Sequence, residues 1–289
     1  MTTAISRRPR LSQRAEQAKW EYALGEPARR AITEGGLRGD SKETLFRWLG
    51  GDRDLARQVL QWCNTPMFNL TRPFGDLREA VDILETSELA RLALMAELRR
   101  RYLDCRPSGE FDPRRLWRHS IAVGTVSAMI ARTCGVSDSG EAFLAGTMHD
   151  IGIGVTAALH PSDLTEIYHE VDQLSSFHEV EQDRNGWDHA ALGQEVLAQW
   201  MMPEVVQQAA GLHHVKMTDA DDGRFSPTVC CVVIANYLCC RTGWGVAEKP
   251  CLQTPSDMVF KRLEIGSEML MVIWHQLHET LAQAADMTW

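Results

Sequence analysis

Residues 139–152 read Ser139-Gly140-Glu141-Ala142-Phe143-Leu144-Ala145-Gly146-Thr147-Met148-His149-Asp150-Ile151-Gly152. The segment reads as one strongly apolar helix with a histidine and an aspartate towards its end. An imidazole or carboxylate on a core-facing turn costs free energy unless something binds it. Adjacent residues on a helix point about 100° apart. His149 and Asp150 therefore face one metal ion only near a helix end, and fit more easily across two neighbouring ions.

Further donors with the same apolar flanks lie on either side of this doublet. His119 sits on a helix expected over residues 114–134, between Leu116 and Val123; His189 follows the turn Gly186-Trp187-Asp188; His213-His214 closes a helix that begins at Pro203. A divalent cation satisfies several such groups at once. Imidazole with carboxylate suits Fe, Mn, Zn or Ni, and one aspartate can bridge two ions. One or two divalent transition ions are expected. His160, His169, His178, His275 and His278 read as ordinary hydrogen-bonded or surface groups. The eight cysteines include no CxxC pair, which argues against a cysteine zinc site. Cys230, Cys231, Cys239 and Cys240 read as small buried hydrophobes of a reducing compartment, hence the cytoplasm.

Away from the site, apolar residues recur at three- and four-residue intervals and strand signals are few. Helices are expected over 11–34, ended by Gly35-Gly36, from a cap at Ser41 to Leu49, after Asp52 as far as Asn64, around Leu77–Leu84, and from Leu89 onward. Others are expected near 162–174 with Ser162 as cap, 188–200, 203–213 and 226–241, and one long helix over 256–285, with 176–187 ambiguous. The fold class is all-α. The expected division is a helical leader over 1–35, a small bundle over 36–105, a larger metal-site bundle over 106–250, and a closing helix over 251–289. That last helix carries Leu263, Leu270, Ile273, Leu277 and Leu281 as an apolar stripe, which packs on the bundle or forms a homodimer seam. Trp117, Trp200 and Trp274 are expected in the core.

The formal net charge is −9, which disfavours a general nucleic-acid binder. Arg7, Arg8, Arg10 and Arg14 are followed by no apolar stretch, so neither a cleaved signal peptide nor export is expected. No apolar run approaches the roughly 20 residues of a membrane-spanning helix, and no membrane partner is expected.

Leu116-Trp117-Arg118-His119-Ser120-Ile121-Ala122, Glu141 to Gly146 leading into His149-Asp150-Ile151-Gly152, Asp188-His189-Ala190, and Ala209 to His214 occur in the order of a known family. The chain resembles the HD superfamily of metal-dependent phosphohydrolases, and more closely its HDOD (HD-related output domain) branch. Ala56-Arg57-Gln58-Val59-Leu60 with Cys63-Asn64-Thr65-Pro66-Met67-Phe68 is similar to that branch's N-terminal bundle, and the likeness spans about residues 40 to 240. The resemblance implies an HD-domain-like helical bundle with a smaller N-terminal bundle. It implies His119, His149, Asp150, His189, His213, His214 and Asn236 as metal ligands, the last standing where an aspartate is usual. Asp150 would be the catalytic carboxylate if the site is active.

Two departures bear on chemistry. The lysine that HD-GYP relatives place after the doublet is replaced by Ile153, and the GYP segment by Val215-Lys216-Met217-Thr218. Arg118 and Lys216 are the nearest cations for a substrate phosphate. The resemblance thus implies a bacterial signal-transduction module with a metal site and reduced or lost catalysis, meeting a signalling protein or small nucleotide ligand. The alternatives are an active nucleotide or cyclic-dinucleotide phosphohydrolase and an HD-type diiron oxidase.

Overall fold

The computed structural model describes residues 10–25, 42–65, 72–171, 175–218, 223–246 and 254–288. Among these the chain is helical, with no strand and one isolated bridge between Ser108 and Phe111. The helices are α1 (Leu11–Glu21), α2 (Lys42–Gly50), α3 (Arg53–Cys63), α4 (Leu77–Ile83), α5 (Thr86–Asp104), α6 (Pro113–Cys134), α7 (Ser139–Met148) and α8 (Ile151–Leu159). They continue as α9 (Pro161–Glu170), α10 (Phe177–Asn185), α11 (His189–Gln199), α12 (Glu204–Leu212), α13 (Pro227–Arg241), α14 (Asp257–Arg262) and α15 (Ser267–Asp286).

Local chemistry sets many of these starts. Asp52, Asp76, Asp112, Asp138 and Asp188 each stand at an N-cap, where the carboxylate accepts from a backbone N–H of the first turn. Such a cap satisfies a donor that the helix itself leaves unpaired and favours the positive end of its dipole.

Helix α6 is the axis of the larger half, buried along most of its length, with α7, α13 and α15 packed on it. Glycines let α6 and α7 meet backbone to backbone. A Cβ on Gly124 would lie 2.2 Å from Thr147 Oγ1, and one on Gly146 2.8 Å from the Val123 carbonyl. The crossing of these two helices carries His119 and His149 into one neighbourhood. A Cβ on Gly152 would lie 2.0 Å from the His189 carbonyl, so α8 and α11 also touch directly.

The remaining elements brace this core. Helix α1 lies on α11, where the Gln199 side chain donates to the Ala15 carbonyl (3.1 Å) and Tyr22 stacks on Trp200. The guanidinium of Arg101 sits over both rings. Trp62 of α3 donates to the Met287 carbonyl at 3.2 Å, tying the early helices to the far end of the chain.

Several expectations are corrected. The 139–152 helix breaks at His149-Asp150, where Asp150 leaves helical geometry (φ −98°, ψ 18°) and α8 restarts at Ile151. The first helix stops at Glu21, and Gly35-Gly36 and Ser41 lie outside the described residues. Helix α9 begins at Pro161 with His160 as N-cap, two residues earlier than a Ser162 cap requires, because proline suits the first helical position. The 256–285 helix is two, split around Glu264, whose φ is +55°. Trp117 and Trp200 are buried, but Trp274 is 51% exposed beside Met271, so the stripe on α15 is wider than the face the bundle covers. Ser139–Leu159 is, among the described residues, long and apolar enough to cross a membrane. It is a core segment, 89% buried across its most apolar window, and it carries the His-Asp corner.

Candidate metal centre

The corner between α7 and α8 points His149 and Asp150 the same way. Around them α6 supplies His119, the start of α11 supplies His189, and the end of α12 supplies His213 and His214. The Asp150 carboxylate is the hub. Its Oδ2 lies 3.3 Å from Nε2 of His119 and 3.3 Å from Nε2 of His149. Its Oδ1 lies 3.4 Å from Nε2 of His189 and 3.3 Å from Nε2 of His213. His214 Nε2 is 3.0 Å from His189 Nε2. The donors fall into two groups that share the aspartate: His119, His149 and Asp150, and Asp150, His189, His213 and His214.

The other ring nitrogens show what the cluster is built to hold. Nδ1 of His119 donates to the Trp244 carbonyl, that of His149 to the Gly146 carbonyl and that of His213 to the Ala210 carbonyl, each at 2.7 Å. A carbonyl only accepts, so the proton sits on Nδ1 and the Nε2 lone pair faces inward. Three lone pairs then confront a carboxylate, acceptor against acceptor. Nε2 of His149 and of His213 are buried without a hydrogen-bond partner. A divalent cation between these atoms turns the repulsion into coordination, so the residues present fit a metal.

Protonation follows from the same geometry. Burial pushes His149 down to about 4 against the pull of Asp150, leaving it neutral near pH 7. Burial also pushes the Asp150 carboxyl up, but the surrounding histidines, His149 foremost, outweigh it and hold it well below the usual carboxylate range. His189 goes the other way. Burial lowers it, yet Glu181 and Asp150 raise it well above the ordinary imidazole value. Glu181 Oε2 accepts from both Nδ1 (2.5 Å) and the backbone N–H (2.8 Å) of His189. A proton held on His189 would do part of the work of a cation there, and an ion bound at the cluster would compete with it.

A cavity of about 610 Å³ opens onto this cluster. Asn236 of α13 lines it, its Oδ1 accepting from the Cys240 thiol at 3.5 Å, and Lys216 lines it from an exposed position. Cys230, Cys231 and Cys239 are buried as expected, whereas Cys240 is half-buried and faces this cavity; Cys251 lies outside the described residues. Arg118 is absent from the lining. Its guanidinium donates to the Gly243 carbonyl (3.0 Å) and covers the Trp244 ring, steadying the carbonyl that orients His119.

The residue-type pattern missed two members. Glu181 is buried on α10 and carries no ligand spacing to mark it. His178, one turn earlier, reads as an ordinary histidine but stacks on His214 (4.1 Å between centroids, 11° between planes) and lines the cavity. Only folding α10 against α11 reveals either.

The family model for the HDOD domain matches residues 41–216. This chain belongs to the HDOD family. None of the curated proteins matches the sequence. Among solved structures, an HDOD domain protein of unknown function from Geobacter sulfurreducens shares the fold with a TM-score of 0.76 at 19% identity, over 96% of this chain and 98% of that one. A candidate signal transduction protein from Marinobacter aquaeolei aligns with a TM-score of 0.70 at 19% identity, over 97% of this chain and 62% of the other. A candidate metal-dependent phosphohydrolase from Shewanella amazonensis aligns with a TM-score of 0.59 at 17% identity, over 93% and 96%. At such identities the likeness is one of fold.

Proposed function

We propose that this HDOD chain is a cytoplasmic bacterial regulatory module whose His/Asp cluster holds one or two divalent transition-metal ions, with phosphoryl transfer reduced or lost. The observation that carries the reading is the inward set of Nε2 lone pairs against one ionised carboxylate. When bound, such ions supply Lewis acidity and positive charge towards an oxyanion. The chain's own residues do the rest. Backbone carbonyls and Glu181 orient the imidazoles, Asp150 spans the two groups, and Ile153 and Val233 line the cavity that opens onto the cluster.

Reduced catalysis is supported by what surrounds the ligands. Phosphoryl transfer needs cations placed around the transferring group. Ile153 occupies the cavity wall after the His-Asp corner, neutral Asn236 faces it from α13, and Lys216 is the sole lysine or arginine lining it among the described residues. In this reading the output passes to a signalling protein, and a small ligand in the cavity modulates it.

A second reading, a metal-dependent phosphohydrolase, is favoured by the direct opening of the cavity onto the donors; an HD-type diiron oxidase uses the same donor set. Elemental analysis of chain purified without chelator, followed by assays on phosphodiester and nucleotide substrates with Mn or Fe, separates them. Metal-loaded but inert protein supports the regulatory module. Hydrolysis that disappears in His149→Ala overturns it in favour of the enzyme.

A further inference from the structure

The five imidazoles of the centre are not held alike. Four have a polar partner behind the ring: backbone carbonyls at Nδ1 of His119, His149 and His213, and the Glu181 carboxylate at Nδ1 of His189. His214 follows the C-cap of α12 and has no such partner for Nδ1 among the described residues. Its Nε2 meets Nε2 of His189 at 3.0 Å, with the two rings perpendicular. What backs His214 is another ring. His178 lies face to face with it, the centroids 4.1 Å apart and the planes 11° from parallel.

His178 is itself fixed. Ser176 Oγ spends its proton on Glu179 Oε2 (2.6 Å) in the capping box that opens α10, so it accepts from Nδ1 of His178 (3.0 Å). Three residues on, Glu181 projects from the same face of α10 and takes the Nδ1–H of His189. Helix α10 thus reaches two adjacent imidazoles with two side chains, one charged and one flat.

Coordination freezes the rotamers of an imidazole, and a ring held in place beforehand loses less freedom on binding. We propose that His178 is a positioning residue for His214: its stacked ring holds that imidazole turned toward the ion site on the Oδ1 side of Asp150, as Glu181 does for His189. The proposal rests on the metal reading of the cluster. It needs the aromatic face of residue 178 and not its nitrogens, which separates the role from that of a further ligand.

The test is chelator competition, with the visible absorption spectrum, on chain loaded with one equivalent of Co(II), for native protein and for His178→Ala, His178→Leu and His178→Phe. His178→Ala should weaken Co(II) binding roughly fivefold, the scale of an aromatic pair, and alter the absorption bands as the donor set loosens. His178→Phe keeps the face and should return both affinity and spectrum close to native. His178→Leu fills the space without a flat ring and should resemble the alanine variant; it replaces that variant in the comparison if alanine does not fold. A second equivalent, on the Oδ2 side, should bind alike in all four. Native affinity without a ring at 178, or a phenylalanine variant as weak as the leucine one, overturns the proposal. So does an equal loss at both ions, which marks general damage to the fold. A native chain that takes up no Co(II) overturns the metal reading and this role together, a result distinct from uptake that ignores residue 178.

Discussion

On the Oδ2 side of Asp150, His119 and His149 spend their Nδ1 protons on the carbonyls of Trp244 and Gly146. On the Oδ1 side, His189 donates its Nδ1–H to the buried carboxylate of Glu181 and stands with His213 and His214. An imidazole backed by a carboxylate is oriented more firmly and is more basic than one backed by a carbonyl. The Oδ1 side also musters one more imidazole. It should therefore bind its ion more tightly, while the Oδ2 side depends on a loop carbonyl held in place by Arg118.

The strongest way to break this comparison removes what the sides share. Asp150→Ala should abolish metal retention on both, read by elemental analysis after gel filtration, while helical content persists. Retention at the native level would show that the carboxylate is no hub.

Protonation gives the next contrast. His149, held at about 4 in the folded chain against an ordinary 6.5, binds fewer protons folded than unfolded. It contributes stability that is complete above 6.5 and is lost as pH falls towards 4, on the order of 3 kcal/mol. His189 is raised, so its contribution is present below 6.5 and is lost as pH climbs through its elevated value. Histidine NMR titration of metal-free protein should find His189 protonated at neutral pH and His149 neutral. The reverse assignment would undo the electrostatic account.

Glu181→Gln tests the difference between the sides. It should weaken the tighter ion about 10–100-fold and leave the other unchanged, as read by competition with a chelator. An equal loss on both would erase the distinction. The smallest effect is expected from Arg118→Ala, which loosens the Trp244 carbonyl. The Oδ2 side should weaken roughly threefold, the scale of a single hydrogen bond, with the Oδ1 side untouched.

The all-α class and the six donors His119, His149, Asp150, His189, His213 and His214 are legible in the sequence because each stands out as a polar group within an apolar helical period. Their division about Asp150 is not. It depends on the break after Met148 and on contacts that Gly124, Gly146 and Gly152 allow, which are packing facts rather than periodicities. Glu181 and Arg118 illustrate the limit from both directions. By residue type Glu181 belongs on the surface, yet it is buried against His189. Arg118 has the chemistry of a phosphate contact, yet it is spent on Gly243 and Trp244. Neither outcome follows from residue type, because each is decided by which helix or loop lies opposite.

Anomalous diffraction from crystals grown with substoichiometric, then excess, Mn or Zn probes the shared aspartate most directly. The account predicts a first peak on the Oδ1 side and a second on the Oδ2 side as metal is added, each about 2.0–2.2 Å from histidine nitrogens. No peak beside Asp150 at excess metal, with the Nε2 atoms turned to water or backbone, would contradict it.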